Sequence, residues 1–303
     1  MQKTSNRKEN TEEGFSLVFD APAYTLIFDG DKPPLPNERL QVVTIDSIEE
    51  AIRFRKLLGS TCELYISPEY RCAHPDTDFE AGAICVSELS KEAPFDTETA
   101  AALMRKLPLD LKSLLKSPLA LREGQTMPPL IEKSLVHKIS DTNVLISEPF
   151  STGWLHYFNM FQDTAELTFD HPSEHVQGLL ISEALRQAGI ACAHIQGLPP
   201  EGKLVLLNYS TNFFNFIECR EPIILRAYSS FSADETSEDK NALFFIQVIQ
   251  WGRVCADSAI TTFACLNIQR QKQLNERLIK IESRTKAHFE SKVNRILETE
   301  SPS

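Results

Sequence analysis

The chain has 303 residues, 42% of them hydrophobic, with 31 Lys and Arg against 42 Asp and Glu and a formal net charge of −11. That length supports two domains with a core in each, and the acidic balance excludes a non-specific phosphate-backbone footprint, so no nucleic-acid partner is expected. No apolar run approaches the ~20 residues of a membrane-spanning helix, and the polar, charged residues 1–14 lack the apolar centre of a signal peptide, which predicts a cytoplasmic protein with no membrane partner.

Residues 1–14 read as a disordered lead. Short apolar strands follow at Phe15 to Phe19 and Tyr24 to Phe28, ended by the breaker Asp29-Gly30-Asp31-Lys32-Pro33-Pro34. Leu40 to Ile45, Ser47 to Leu58 and Cys62 to Ile66 read as strand, helix and strand, with Ser47 as N-cap and Gly59 ending the helix. Thr97 to Lys106 and Pro108 to Lys116 read as two further helices, and the proline-containing Pro118 to Pro129 as a linker. Residues 15–129 therefore form an N-terminal α/β region, separate from the C-terminal half of the chain. It contains no nucleotide loop, metal-ligand spacing or nucleophile elbow, and its role is not readable.

Beyond the linker, Ser134 to Phe150 suggests one or two strands. A helix-length segment, Gln177 to Gln196, comes next. Lys203 to Tyr209, Ile223 to Phe231, Ala242 to Trp251 and Arg253 to Leu266 are rich in Val, Ile, Phe, Tyr and Thr and read as strands. Trp251-Gly252-Arg253 marks a hairpin, and the acidic Asp234 to Asn241 an exposed turn. An antiparallel sheet following one long apolar helix can bury that helix by curling around it. That is the hotdog arrangement, so the fold class is α+β, with a hotdog domain over 130–268. Its open sheet edge predicts a homodimer joined edge to edge. Gln269 to Glu298 reads as a charged helix in a C-terminal segment, 269–303, serving as a packing or dimer arm.

The central helix carries the chemistry. At ~3.6 residues per turn, Glu183, Gln187 and His194 lie along one line with Arg186 beside it. Leu180, Ile181, Ala184, Leu185, Ala188, Ala191, Cys192 and Ile195 fill the opposite arc. Small residues flank the line at Ser182, Gly189 and Ala193, where another element can approach the backbone closely. The plain alternative is a solvated face of an amphipathic helix. Seven cysteines (Cys62, Cys72, Cys85, Cys192, Cys219, Cys255, Cys265) stand singly without a Cys-x-x-Cys pair. They read as small buried hydrophobes, and neither a metal nor a cofactor is expected.

Leu135-Val136-His137-Lys138, Asp170-His171-Pro172, Ser182-Glu183-Ala184-Leu185-Arg186-Gln187-Ala188-Gly189 and Ala193-His194 together resemble the AfsA-like hotdog family of A-factor and γ-butyrolactone biosynthesis. The resemblance spans roughly residues 134–268. It implies an enzyme of secondary metabolism that takes a β-ketoacyl chain from a carrier-protein or coenzyme A thioester and esterifies it onto dihydroxyacetone phosphate. Family members usually carry two hotdog repeats. The N-terminal half here shows neither the His-Pro element nor the Glu-x-x-Arg-Gln helix.

Acyl transfer to a hydroxyl needs a proton acceptor and donors for the oxyanion. Glu183 is therefore the candidate general base or positioning carboxylate. Burial would raise its pKa and Arg186 would lower it, an opposition that sequence leaves open. Arg186 is a candidate either for binding the acceptor phosphate or for holding Glu183. Gln187 and His194 are candidates for orienting the substrate, with a helix-dipole role as the alternative for His194. His171, in the loop entering the helix, could reach a thioester carbonyl, and His175 there could equally be a surface residue. His137-Lys138 is read on a strand, which would let only one of the two face the cleft. Trp154, Tyr157, Phe158, Phe161, Phe213, Phe214 and Phe216 are candidates for an acyl tunnel, or for core and dimer contact. Two other functions compete: a hotdog thioesterase or dehydratase, and a non-catalytic acyl-ligand binder or assembly protein.

Overall fold

The computed structural model describes residues 24–33, 41–80, 95–109, 128–167, 173–232, 239–266 and 268–299. The expected strand at residues 15–19, nearly all of the helix at 108–116, most of the linker and most of the acidic turn at 234–241 lie outside them.

In the N-terminal region β1 (Tyr24–Phe28), β2 (Gln41–Ile45) and β3 (Cys62–Leu64) form a parallel sheet in the order β2-β1-β3. The helix α1 (Ile48–Leu58) crosses between β2 and β3, as parallel strands require. Ser47 caps it by accepting from the Glu50 amide at 3.1 Å. Helix α2 is Pro68–Ala73 and α3 is Thr97–Lys106, capped by Asp96.

The second half builds the hotdog. Strands β4 (Phe150–Thr152), β5 (Leu155–Met160), β6 (Lys203–Phe213), β7 (Ile223–Ser229), β8 (Asp239–Gln250) and β9 (Arg253–Cys265) form an antiparallel sheet in the order β4-β5-β7-β8-β9-β6. Helix α4 (Gly178–Ile195) packs against its inner face. Positive φ at Trp251 and Gly252 makes the two-residue turn between β8 and β9, matching the right-handed twist of the strands.

Strand alternation sorts side chains to two cores. Phe158, Leu225, Ala227, Phe244, Ile246 and Val248 face α4. Leu155, Tyr157, Ile224, Tyr228, Phe245 and Ile249 face the other way and share a core with β1, α1 and α3. The parallel sheet and its helices thus cover the outer face of the hotdog sheet. This two-sided burial is why β7 and β8 read as nearly continuous apolar runs.

The two regions meet tightly at Gly153. The last carbonyls of α1 lack intrahelical partners, and the β4–β5 turn supplies them: Trp154 N donates to Leu57 O at 2.8 Å and Thr152 Oγ1 to Leu58 O at 3.1 Å. Gly153 sits at φ 56°, where a Cβ would strike Leu57 O and stand 2.7 Å from Leu58 C and 2.8 Å from Gly59 N. Gly153→Ala is therefore expected to cost roughly 3 kcal/mol, from left-handed strain plus backbone overlap. Urea denaturation checks it.

One expectation is corrected here. The segment 134–150, expected to hold one or two strands, runs instead through 3-10 turns at Lys133–Val136 and Asp141–Asn143 with isolated bridges at Ile146 and Ser147, and β4 begins only at Phe150. The C-terminal helix α5 (Ile268–Thr299) is largely exposed at its described side chains, with Leu278, Ile281 and Phe289 open to solvent. Among the described residues no helix is long and apolar enough to cross a membrane.

Candidate active site

Helix α4 is no solvated surface helix. Leu180, Ile181, Ala184, Leu185, Gln187 and the whole run Ala188 to His194 are buried. Gly189 lies against the Phe244 ring, where even an added Cβ would make only ordinary contact at 3.5 Å. A polar side chain on such a helix must find partners, and those on α4 do.

Glu183 is the hub. Its Oε2 accepts from Arg186 Nε at 2.7 Å, and its Oε1 accepts from Arg186 Nη2 at 2.7 Å, from Lys138 Nζ at 2.8 Å and from Gln187 Nε2 at 3.0 Å. Lys138 also pairs with Glu166. Burial alone would push the Glu183 carboxyl up, but the donors Arg186, Lys138 and Gln187 outweigh it and hold it at about 2. The Arg186 guanidinium is raised in turn, chiefly by its bonds to Glu183. Arg186 keeps one edge, Nη1, without a partner among the described residues, and its side chain is 37% exposed. Tyr209 on β6 lies alongside and donates to Ser182 O at 2.8 Å.

Gln187, expected to orient substrate, is committed elsewhere. Its Nε2 donates to Asn143 O at 2.9 Å as well as to Glu183, and its Oε1 accepts from Leu145 N at 2.8 Å. Wholly buried, it ties the 3-10 segment to the helix and has no donor left for a ligand.

The strand reading of His137-Lys138 is also corrected. His137 ends a 3-10 turn in the left-handed region, φ 56°, so alternation does not apply and both side chains reach α4. Lys138 meets Glu183, and His137 Nε2 lies 3.0 Å from His194 Nε2. His194 Nδ1 lies 3.0 Å from Leu198 O, beyond the helix end. The partners of His194 are thus a loop carbonyl and a second imidazole. Another imidazole, the buried His156, contacts Ser151 Oγ at 2.7 Å.

Burial, then His194, Lys203 and Arg186, depress His137 from 6.5 to about 4, and burial does the same to His156. His194 moves in the same direction, mainly through burial. A depressed imidazole refuses protons that the unfolded chain accepts, so its contribution is complete above pH 6.5 and is lost as pH falls through about 4. Glu183 adds a further loss between 4.5 and about 2. Melting temperature should therefore fall from pH 6.5 downward, before most carboxylates titrate, and His156→Gln should flatten part of that slope if it folds.

The aromatic candidates do not gather into one tunnel. Tyr157 and Phe158 sit on opposite faces of β5 because they are adjacent, and Phe213, Phe214 and Phe216 are exposed at and beyond the end of β6. His171 lies outside the described residues. His175 is exposed and packs on Phe216 with ring centroids 5.2 Å apart. Lys138 and Glu166 join the site, and Lys203 acts electrostatically on His137 and His194, without having been singled out as site residues. Lys138 was legible in the His-Lys element, whereas Glu166 has no local signal. Among the described residues no cluster of three or more His, Cys, Asp or Glu is placed to hold a metal ion.

The profile of the A-factor biosynthesis hotdog domain matches residues 119–266, a span that contains α4 and all six strands of the larger sheet. Similar solved structures include a phenylacetic acid degradation-related protein from Ralstonia eutropha JMP134, 15% identical over 38% of this chain and 83% of that chain with TM-score 0.30. A mutant thioesterase from Pseudomonas aeruginosa is 12% identical over 40% and 81%, TM-score 0.32, and an uncharacterized protein from Pyrococcus horikoshii is 12% identical over 46% and 95%, TM-score 0.31. At such TM-scores the likeness adds nothing to the chemistry. No curated protein matches the chain. Residues 119–266, which hold the six-stranded antiparallel sheet and the Glu183-Arg186-Gln187 helix, are thus the part of the chain that matches the A-factor biosynthesis hotdog domain.

Proposed function

We propose that this chain is an acyltransferase that moves a β-ketoacyl group from a carrier-protein or coenzyme A thioester to the hydroxyl of a small phosphorylated acceptor such as dihydroxyacetone phosphate, in γ-butyrolactone-type biosynthesis. The observation that carries this reading is the bidentate Glu183–Arg186 pair, which fixes a guanidinium with its Nη1 edge still unpartnered among the described residues. A planar donor edge so held suits a phosphate oxygen pair. Lys138 lies on the same carboxylate, and its other partner, Glu166, is 47% exposed. An acceptor phosphate could displace Glu166 and take both cations. In this reading Glu183 positions charge and does not accept the proton, since both of its oxygens are already taken up by donors from Arg186, Lys138 and Gln187.

A dimer is part of the proposal. Strand β6 is an edge with Val205, Leu206, Leu207 and Phe213 exposed, and pairing two β6 edges would remove both unpaired edges. The test is thiol release from a β-ketoacyl thioester with and without dihydroxyacetone phosphate. Acceptor-dependent release and ester formation are expected. Release without acceptor would replace the reading with a thioesterase, and no release from any acyl thioester would favour an acyl-ligand binder.

A further inference from the structure

The two imidazoles at the far end of α4 have only one consistent arrangement of protons when both are neutral. Leu198 O can only accept, so His194 Nδ1 must carry the hydrogen in their 3.0 Å contact. A neutral His194 then has a bare Nε2, which must accept. The hydrogen in the 3.0 Å contact between the rings therefore belongs to His137 Nε2. It follows that the lone pair of His137 is on Nδ1, the one nitrogen of the two rings with no partner among the described residues. The rings meet edge to face at 80°, as such a bond from one ring edge to the next permits. His137 is held at φ 56° in a turn whose next residue, Lys138, is bound to Glu183. A left-handed backbone at a non-glycine residue is strained, and the neighbouring anchor maintains it.

Resting on the transferase reading, we infer that His137 Nδ1 is the proton acceptor of the site and that His194 is a positioning residue which fixes the His137 tautomer through the series Leu198 O, His194, His137. The acceptor hydroxyl would give its proton to Nδ1 as its oxygen bonds to the thioester carbon and the carbonyl electrons move to oxygen. When the oxyanion re-forms the carbonyl, the carbon–sulfur bond breaks and the imidazolium returns the proton to sulfur. Ester and thiol result, and no other reactant is needed. The charged groups acting on His137 are Lys203 from β6 and Arg186 from α4, with His194 beside it. The two cations oppose a lasting positive charge, which favours passing the proton on. His194 supports the transient imidazolium by accepting from Nε2.

Two measurements on the full chain test this. Long-range proton–nitrogen NMR reads tautomers directly: between pH 6 and 8, His194 should carry hydrogen on Nδ1 and His137 on Nε2, and the reverse order on either ring overturns the inference. Steady-state thiol release then separates positioning from packing. His194→Gln offers an amide oxygen to His137 and an amide hydrogen to Leu198, and should keep kcat within about threefold. His194→Phe fills the same space without an acceptor and should lower kcat by about 30-fold or more with acceptor KM unchanged, and His137→Asn should lower it by about 100-fold or more. Equal losses in the Gln and Phe variants, or none in His137→Asn, overturn the inference. Absence of any acceptor-dependent release by the native chain would sink the transferase reading instead, while the tautomers are judged by NMR regardless.

Discussion

Glu183→Gln is expected to lower kcat/KM for acceptor-dependent thiol release by at least about 100-fold, and the loss should not deepen when Arg186→Gln is added. The amide keeps the size of the carboxylate but gives up two charge-assisted bonds to Arg186 and one to Lys138. Such bonds are worth about 1.5–3 kcal/mol when sheltered and less when partly exposed, as these are, so a loss near 2.7 kcal/mol, or about 100-fold, is a reasonable sum. If Glu183 works by fixing Arg186, removing either residue destroys one shared device, and the double variant resembles the single ones. If Glu183 were an independent base, the losses would multiply. The measurement is a double-mutant cycle in kcat/KM, with circular dichroism to confirm folding.

Arg226→Met is expected to destabilise the chain by about 3–5 kcal/mol, because it strips the donors from a buried polar knot. Arg226 on β7 is wholly buried. It donates from Nε and Nη2 to Gln247 Oε1 at 2.9 and 2.7 Å, from Nη2 to Met104 O at 3.1 Å and from Nη1 to Pro108 O at 3.0 Å. Met104 stands in the last turn of α3, so the guanidinium serves as that helix's C-terminal partner and complements the partial negative charge there. Neighbouring bonds act in the same place: Tyr228 OH donates to Phe95 O at 2.8 Å, and Arg105 pairs with Asp257 at 3.1 Å. Without Arg226, the buried Gln247 Oε1 and the partly buried Pro108 O lose these donors, and α3 loosens from the outer face of the sheet. For a chain of this size the melting temperature should drop on the order of 10 °C. Arg226→Lys should recover only part, since one ammonium cannot span the forked set of acceptors. A shift below about 1 kcal/mol would mean that α3 is held by its apolar contacts alone.

Where local pattern decides, the sequence was readable. Helix α4 stands out because apolar residues at helical spacing continue from Leu180 to Ile195, and α1 because Ser47 and Gly59 punctuate it. Strands β6 to β9 followed from β-branched and aromatic runs, and the turn at Trp251-Gly252 from its glycine. Nonlocal docking decides the rest. Nothing in residues 24–106 announces that their helices and strands cover the outer face of the hotdog sheet, because that face is apolar in the same way as the inner one. The grouping of seven aromatics failed for the opposite reason, since the pleat sends Tyr157 and Phe158 apart. Likewise strand alternation misjudges the His137-Lys138 pair, because a left-handed turn aims both residues at α4. The Glu183-Arg186 pairing was legible from its i, i+3 spacing. Its outcome, an ionised hub rather than a raised carboxylic acid, depended on Lys138 and Gln187 arriving beside it.

The proposed transferase reading requires Glu183 to stay charged so that it can hold Arg186 and Lys138 in place. Carbon-13 NMR titration of the Glu183 side-chain carboxyl, assigned by comparison with Glu183→Gln, measures this directly. The expected trace is flat from pH 8 down to about 4, with protonation only toward about 2. A midpoint at or above the ordinary 4.5 would contradict it, and would return Glu183 to the role of proton acceptor.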